Sequence, residues 1–444
     1  MRTALLAVLL LPAALAAQTP PATANGPATV LDCGRVFDAD SARMTGRQFI
    51  VVRAGRIEAI AGQAPEAGAD ARRIDLSGHT CLPGLIDMHV HLGSQTSPGA
   101  YSEGFRLNPE DYAYRSVGYA EKTLMAGFTT VRDLGGATTQ GLRNAIDQGL
   151  VRGPRIFAAG KSIATTGGHA DPRNGISREL AASLGYPGPE DGVIAGPIEA
   201  RRAVRQRYKE GSDLIKITAT GGVLSFARSG DNPQFMEDEI RAIVEAAHDY
   251  GYKVAAHAHG NEGIRRAVAA GVDSIEHGTW MSDEVMALMK EKGTWYVPTI
   301  TAGVFVGEMA REPGYYPEIV RPKALAVGPQ IQRTFGRAWR AGVPVAFGTD
   351  AGVFLHGDNG REFELMVEAG MPAASALQAA TRNAAELLGE SASLGSLAVG
   401  KHADIVAVAG DPGADIGLMR RIDFVMKAGV VYKAGGAPAV VPAQ

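Results

Sequence analysis

The segment PGLIDMHVHLG places His89 and His91 two residues apart, behind an apolar run. On an extended strand, residues two apart share a face. One strand end can therefore present both imidazoles to a single metal ion. Alone, such a pair is a weak signal. It gains weight because residues able to hold metals also close four other apolar segments. DLIKITATGG carries Lys216 between two isoleucines, KVAAHAHG carries His257 and His259, SIEHG carries His277, and VAFGTDAG carries Asp350. Five of the ten histidines thus sit at such positions. Each residue has an ordinary reading as well. His277 can simply be hydrogen-bonded at a strand end, and Asp350 can cap a helix. As a set they read as a metal cage. Zinc suits imidazole and carboxylate ligands, with manganese and cobalt left open.

Lys216 requires separate chemistry, because an ammonium repels metal ions. Burial and nearby cations lower a lysine pKa. The neutral amine can then add carbon dioxide, and the carbamate so formed has two oxygens able to bridge two metals.

These side chains need a frame that brings many strand ends to one rim. Eight apolar segments read as strands: 84–92, 129–133, 155–160, 213–217, 253–258, 274–278, 295–300 and 345–350. Helical stretches such as Glu237–Tyr250 and Glu262–Ala270 lie between most of them. Alternating units of this kind close a (β/α)₈ barrel, with the chemistry at the C-terminal strand ends. Residues 162–196, rich in Gly and Pro, read as a long loop over the mouth, and 301–330 as a second insertion. Both chain ends read as short alternating strands. The expected fold is therefore α/β, a TIM barrel over 83–392 with a small β-sandwich built from 30–82 and 393–436.

The N-terminus reads as a targeting segment. Met1-Arg2, an apolar run from Ala4 to Leu15 and small residues to Ala17 form a signal peptide over 1–17, with cleavage after Ala16 or Ala17. An uncleaved anchor is the alternative. Residues 18–29 read as a disordered Pro/Ala/Thr tether. The expected mature protein is exported, with no membrane segment, and the short signal favours a bacterial periplasm. Export permits a disulfide, so Cys33 and Cys81 are either a pair or two buried thiols. The formal net charge of -3 and the absence of a basic stripe argue against a nucleic-acid partner.

The strand-end pattern resembles the amidohydrolase superfamily in its binuclear form. LPGLIDMHVH, ALQAATRNAAELLG and LGSLAVGKHADIVAV carry the resemblance further, from about Val30 to Tyr432. It implies that His89, His91 and Asp350 hold one metal, His257 and His277 the second, and a carboxylated Lys216 bridges them. Choosing His257 over His259 follows the family pattern. Two metals sharing a water would supply hydroxide near neutral pH and polarise a carbonyl. Asp350 would serve as general base, then as general acid toward the leaving amine.

TGGHAD, KITATGGVLSFARSGDNPQF and VAAHAHG are similar to the imidazolonepropionase-like group, with its Xaa-Pro dipeptidases and ochratoxin A-hydrolysing amidohydrolases. The resemblance implies a homo-oligomer, up to an octamer. It also implies a carboxypeptidase that releases an apolar or aromatic residue from a small-molecule or short-peptide substrate with a free carboxylate. Ochratoxin A, a phenylalanine amide, fits that class. His169 and His259 are candidate donors to the carbonyl or carboxylate, and both are counted with Lys216 and Asp350 as candidate catalytic residues. Arg228 is a candidate carboxylate partner, and Ser94 lies near the mouth. Phe226, Val353 and Phe354 are candidate apolar wall, core packing being the ordinary alternative. A lactonase or esterase on the same metals is the rival enzyme, and a non-catalytic periplasmic binding protein the rival class.

Overall fold

Long β-rich segments at both ends of the chain meet in one sheet. The structure, a computed structural model, describes residues 26–66, 68 and 70–439. The signal peptide and residues 18–25 of the expected tether lie outside these. The last residues of that tether are not loose: Ala28 is buried and Thr29 opens a strand paired with Val52 and Arg72. The reason is the apolar alternation that already begins at Ala28 and continues through Val30.

Strand Thr29–Asp38 lies parallel to Arg72–Pro83 and antiparallel to Gln48–Arg53. Arg72–Pro83 in turn pairs with Ile405–Ala409, from the other end of the chain. Phe424–Lys427 and Val430–Ala434 extend the array to one nine-stranded sheet. The paired strands thus form a single hydrogen-bonded sheet assembled from both ends of the chain. Leu31, Ile50, Ile405 and Phe424 meet in its own core. The same core holds the disulfide Cys33–Cys81, which joins the neighbouring strands Thr29–Asp38 and Arg72–Pro83. Closing a loop of 48 residues removes about 4 kcal/mol of chain entropy from the unfolded state. Replacing both cysteines by alanine is expected to lower stability by roughly 2–4 kcal/mol in urea unfolding. Coincident unfolding curves for the two proteins would show that the bond contributes nothing.

Arg72–Pro83 runs directly into the central layer. There, Leu85–Val90, Phe128–Asp133 and Arg155–Ala158 form one parallel sheet. Ile215–Thr218, Val254–Ala258, Ser274–His277 and Trp295–Val297 form a second. Seven of the eight expected strands are thus present, in two parallel sheets rather than one closed barrel. The eighth segment, 345–350, forms no strand of its own; isolated bridges Tyr296–Val345 and Val90–Ala351 tie it to both sheets. Helices cover the strands, and every residue of Leu85–Val90, Phe128–Asp133 and Val254–Ala258 is buried. Parallel strands covered on both faces are ordinarily apolar throughout. Asp87, His89, Arg132, Lys216, His257 and Glu276 are therefore the exceptions that need a reason.

Helices Glu237–Asp249 and Asn261–Ala270 match the expected stretches within a residue. The 301–330 insertion is mostly helical, as Ile300–Met309 and Arg321–Arg340 pack together with Gly303 facing Gly328. The 162–196 loop contains a short helix, Arg178–Leu184, and a two-stranded ladder. Among the described residues, no helix is long and apolar enough to cross a membrane.

Candidate metal centre

His89, His91, Lys216, His257, His259, His277 and Asp350 all line one cavity of about 270 Å³. The strands deliver them from different directions, and each imidazole is then oriented by a partner behind it. The Nδ1–H of His89 donates to the Glu276 carboxylate at 2.9 Å. The Nδ1–H of His91 donates to the Gly135 carbonyl at 3.1 Å, and the Nε2–H of His257 to the Gly221 carbonyl at 3.1 Å. Carboxylates and carbonyls only accept, so these bonds set the tautomer. His89 and His91 are left with a lone pair on Nε2, and His257 with one on Nδ1. His259 and His277 each use Nδ1 on a hydroxyl, of Thr279 and Thr299, both at 2.7 Å. Such outer partners are the usual support of metal-ligating histidines.

Burial keeps most of these rings neutral. It holds His89, His257 and His277 well below the ordinary imidazole range, with neighbouring cations adding to the effect. It lowers His259 to about 3. His91 differs: burial disfavours its charge, but contact with Asp350 outweighs that and raises it. A neutral imidazole is the form that binds a metal. Burial also lowers Lys216 to about 8, so far more free amine exists near neutral pH than for a surface lysine. Its Nζ lies 3.5 Å from His89 Nε2.

Asp350 completes the group. Its Oδ1 stands 3.4 Å from His89 Nε2 and 3.3 Å from His91 Nε2, yet is buried with no hydrogen-bond partner. Burial opposes its ionisation, but His89, His91 and Lys216 outweigh that and hold its carboxyl low. An ionised, buried, unpartnered oxygen facing imidazole lone pairs is what a cation satisfies. The donor set therefore fits divalent metal. Donor atoms of His89, His277 and Asp350 lie within 4.8 Å of one another, as do those of His257, His259 and His277. His259 thus belongs to the same cluster as His257.

Three non-glycine residues here adopt left-handed backbone: His277 at φ 72°, Thr299 at φ 52° and Asp350 at φ 62°. Each costs of order 1 kcal/mol or more, and such strain collects where geometry serves function. Asp350 is held from beneath. Buried Asp87 accepts from Thr349 Oγ1 at 2.6 Å and Asn359 Nδ2 at 2.8 Å, tying the 345–351 segment to the strand bearing the histidine pair. Behind His89, buried Arg132 binds Glu276 at 2.7 Å and the Met88 carbonyl at 2.7 Å. Asp87, Arg132, Glu276, Thr279 and Thr299 all shape the site, yet none was a sequence candidate. For Asp87, Arg132 and Glu276 the available signal was a charged residue inside a buried parallel strand; Thr279 and Thr299 carried none.

His169 reaches the cavity from the 162–196 loop, its ring centroid 4.4 Å from that of His257. Burial lowers it to about 3. Its Nδ1 pairs with Ser225 Oγ, and its ring lies so close over Gly222 that a Cβ there would fall 2.1 Å from it. Only glycine permits that approach. The Ser225 loop is gripped by Lys323, whose ammonium donates to the carbonyls of Gly222, Ser225 and Ala227 at 3.2, 2.7 and 2.7 Å. Beyond these side chains the cavity turns apolar, with Ala302, Val306, Val327, Ile331 and Val353 as its wall.

The other sequence candidates divide. Val353 lines this cavity and a neighbouring one of about 320 Å³, which Ser94 also lines. Arg228 is exposed and lines neither. Phe226 is 43% exposed and packs edge-on against Tyr101 instead. Phe354 is buried core beside Phe305.

A family model described as the amidohydrolase family matches residues 80–433. The chain belongs to the amidohydrolase family. It is a hydrolytic enzyme with a possible metal site built from histidine and aspartate. A Xaa-Pro dipeptidase solved with methionine in its active site superposes with a TM-score of 0.89 at 50% identity, covering 92% of this chain and 100% of that one. Ochratoxinase of Aspergillus niger is 32% identical over 429 residues, 92% of this chain and 87% of its own. Imidazolonepropionase of Symbiobacterium thermophilum is 26% identical over 379 residues, 80% of this chain and 82% of its own. These relatives support amide hydrolysis for this amidohydrolase.

Proposed function

We propose that this amidohydrolase is a binuclear metal-dependent carboxypeptidase or dipeptidase releasing an apolar or aromatic C-terminal residue. Short peptides, N-acyl amino acids and ochratoxin A fall in its substrate class. The observation that carries this reading is the continuity of the cavity. One end holds the imidazoles, Lys216 and Asp350, and the other is the aliphatic wall of Val306, Val327 and Ile331. A ligand with its carbonyl at the cage has room for an apolar side chain against that wall.

His89, His91 and Asp350 would hold one ion, His257 and His277 the other, with Lys216 as carbamate between them; zinc suits the set. When bound, the ions act as Lewis acids and lower the pKa of water. The Asp350 carboxylate accepts a proton and returns it to the leaving amine. Neutral His169 and His259 can each donate to a substrate oxygen, and the apolar wall excludes water from the leaving side. With Arg228 outside both cavities, these two histidines are the candidates to meet the substrate carboxylate. We also read the two parallel sheets as one barrel, supported by the bridges at Ile163–Ile217, Tyr296–Val345 and Val90–Ala351.

Amidation of the C-terminus of an Ala-Phe substrate tests the assignment. A free carboxylate held by charge-assisted bonds contributes roughly 1.5–3 kcal/mol, so kcat/KM is expected to fall about tenfold or more. Equal turnover of the acid and the amide would exclude a carboxypeptidase.

A further inference from the structure

The second cavity adjoins the metal centre. It shares His91, Leu224 and Val353 with the first, so a ligand at the cage can extend into both. Its own lining is polar and aromatic, with Thr96, Tyr101, Glu103, Tyr112 and Tyr316. Apart from His91, Glu103 is its one ionisable carboxylate or base, and no lysine or arginine lines it. Arg115 holds Glu103 through Oε1 at 3.0 Å, which orients the carboxylate and leaves Oε2 available. Tyr316 is 4% exposed, and its buried hydroxyl has no hydrogen-bond partner among the described residues. A buried hydroxyl without a partner, in the wall of a cavity, points to a polar ligand group. Tyr101, by contrast, spends its hydroxyl on the Leu224 carbonyl at 3.0 Å and offers the cavity its ring.

A carboxylate with a free oxygen, an unspent hydroxyl and several aromatic faces form a receptor for a cation, since ring faces and carboxylate oxygens both attract an ammonium. We infer that this cavity is the subsite for the acyl half of the substrate and selects an ammonium-bearing aminoacyl residue. The inference rests on the proposed amide hydrolysis, which places the released apolar residue in the first cavity and so leaves the second for the other half. The ammonium has two possible sources, the α-amine of a dipeptide or the side chain of a lysine.

The test compares Ala-Phe, N-acetyl-Ala-Phe and N-acetyl-Lys-Phe on the metal-loaded full-length enzyme. At least one ammonium-bearing peptide is expected to exceed N-acetyl-Ala-Phe in kcat/KM by about tenfold or more, chiefly through KM. Which of the two does so identifies the source. Glu103→Gln is expected to bring that ratio toward one, and Tyr316→Phe to reduce it. The wild-type comparison needs no variant to fold. Equal kcat/KM for all three peptides on the wild type, or an undiminished ratio in Glu103→Gln, would overturn the subsite while leaving amide hydrolysis intact. No turnover of any of them would overturn the hydrolysis reading, and the subsite with it.

Discussion

Lys216→Ala is expected to lower kcat/KM by a factor on the order of 10³ or more, and to lower bound metal in the same protein. The size follows from the several kcal/mol of transition-state stabilisation that a metal supplies. Lys216 is 3% exposed between Ile215 and Ile217, with Nζ 3.5 Å from His89 Nε2 and a pKa of about 8. A cation so placed, in a cavity with six imidazoles, opposes metal loading. A carbamate at the same atom favours it. The two cases separate by measurement. If Lys216 bridges as a carbamate, metal loading of stripped wild-type protein should depend on added bicarbonate, and Lys216→Ala should lose that dependence. A Lys216→Ala protein with full metal and full activity would remove the lysine from the site's chemistry.

Asp350→Asn is expected to reduce kcat by roughly 10²–10⁴, the usual contribution of a positioned general acid–base group. Asparagine is the suitable replacement because position 350 has φ 62°, and Asn tolerates left-handed backbone better than other residues of its size. The amide can also keep the Asp350 contacts of the backbone while losing the proton-carrying oxygen. Metal analysis of the variant at saturating substrate separates the two roles of the carboxylate. Metal retained with kcat lost identifies proton transfer as the main contribution. Unchanged kcat would assign that task to another group.

The residues that could do the chemistry were legible because strand geometry is local. An apolar run that ends in His-x-His, Lys or Asp puts those side chains at the strand end, whatever lies beyond it. Most of the frame followed from the same periodicity, with seven strands in the expected places. The eighth segment was apolar enough to read as a strand. In the structure it makes only single bridges, although backbone hydrogen bonds join it to both neighbours, from Ala346 N–H to the Tyr296 carbonyl at 3.0 Å and from Asp350 N–H to the His89 carbonyl at 2.7 Å. Phe226, Phe354 and Arg228 show the limit of placing a side chain by its nearness to a motif. All three lie on segments next to site residues, yet the loop or turn aims each away from the cavity.

By itself the sequence determined which side chains stand at the strand ends and the parallel α/β frame, since both depend on residue type and on spacing within single segments, while the class of reaction followed from the resemblance to the amidohydrolase superfamily. Tertiary structure alone decided which nitrogen of each histidine is free, that Asp350 has an unsatisfied oxygen, and that a second cavity, lined by Glu103 and three tyrosines, joins the first. His89 and Glu276 are 187 residues apart, and the groups that set His91 and His257 are backbone carbonyls. A carbonyl is the same at every position in a chain, so only folding can say which one a histidine meets.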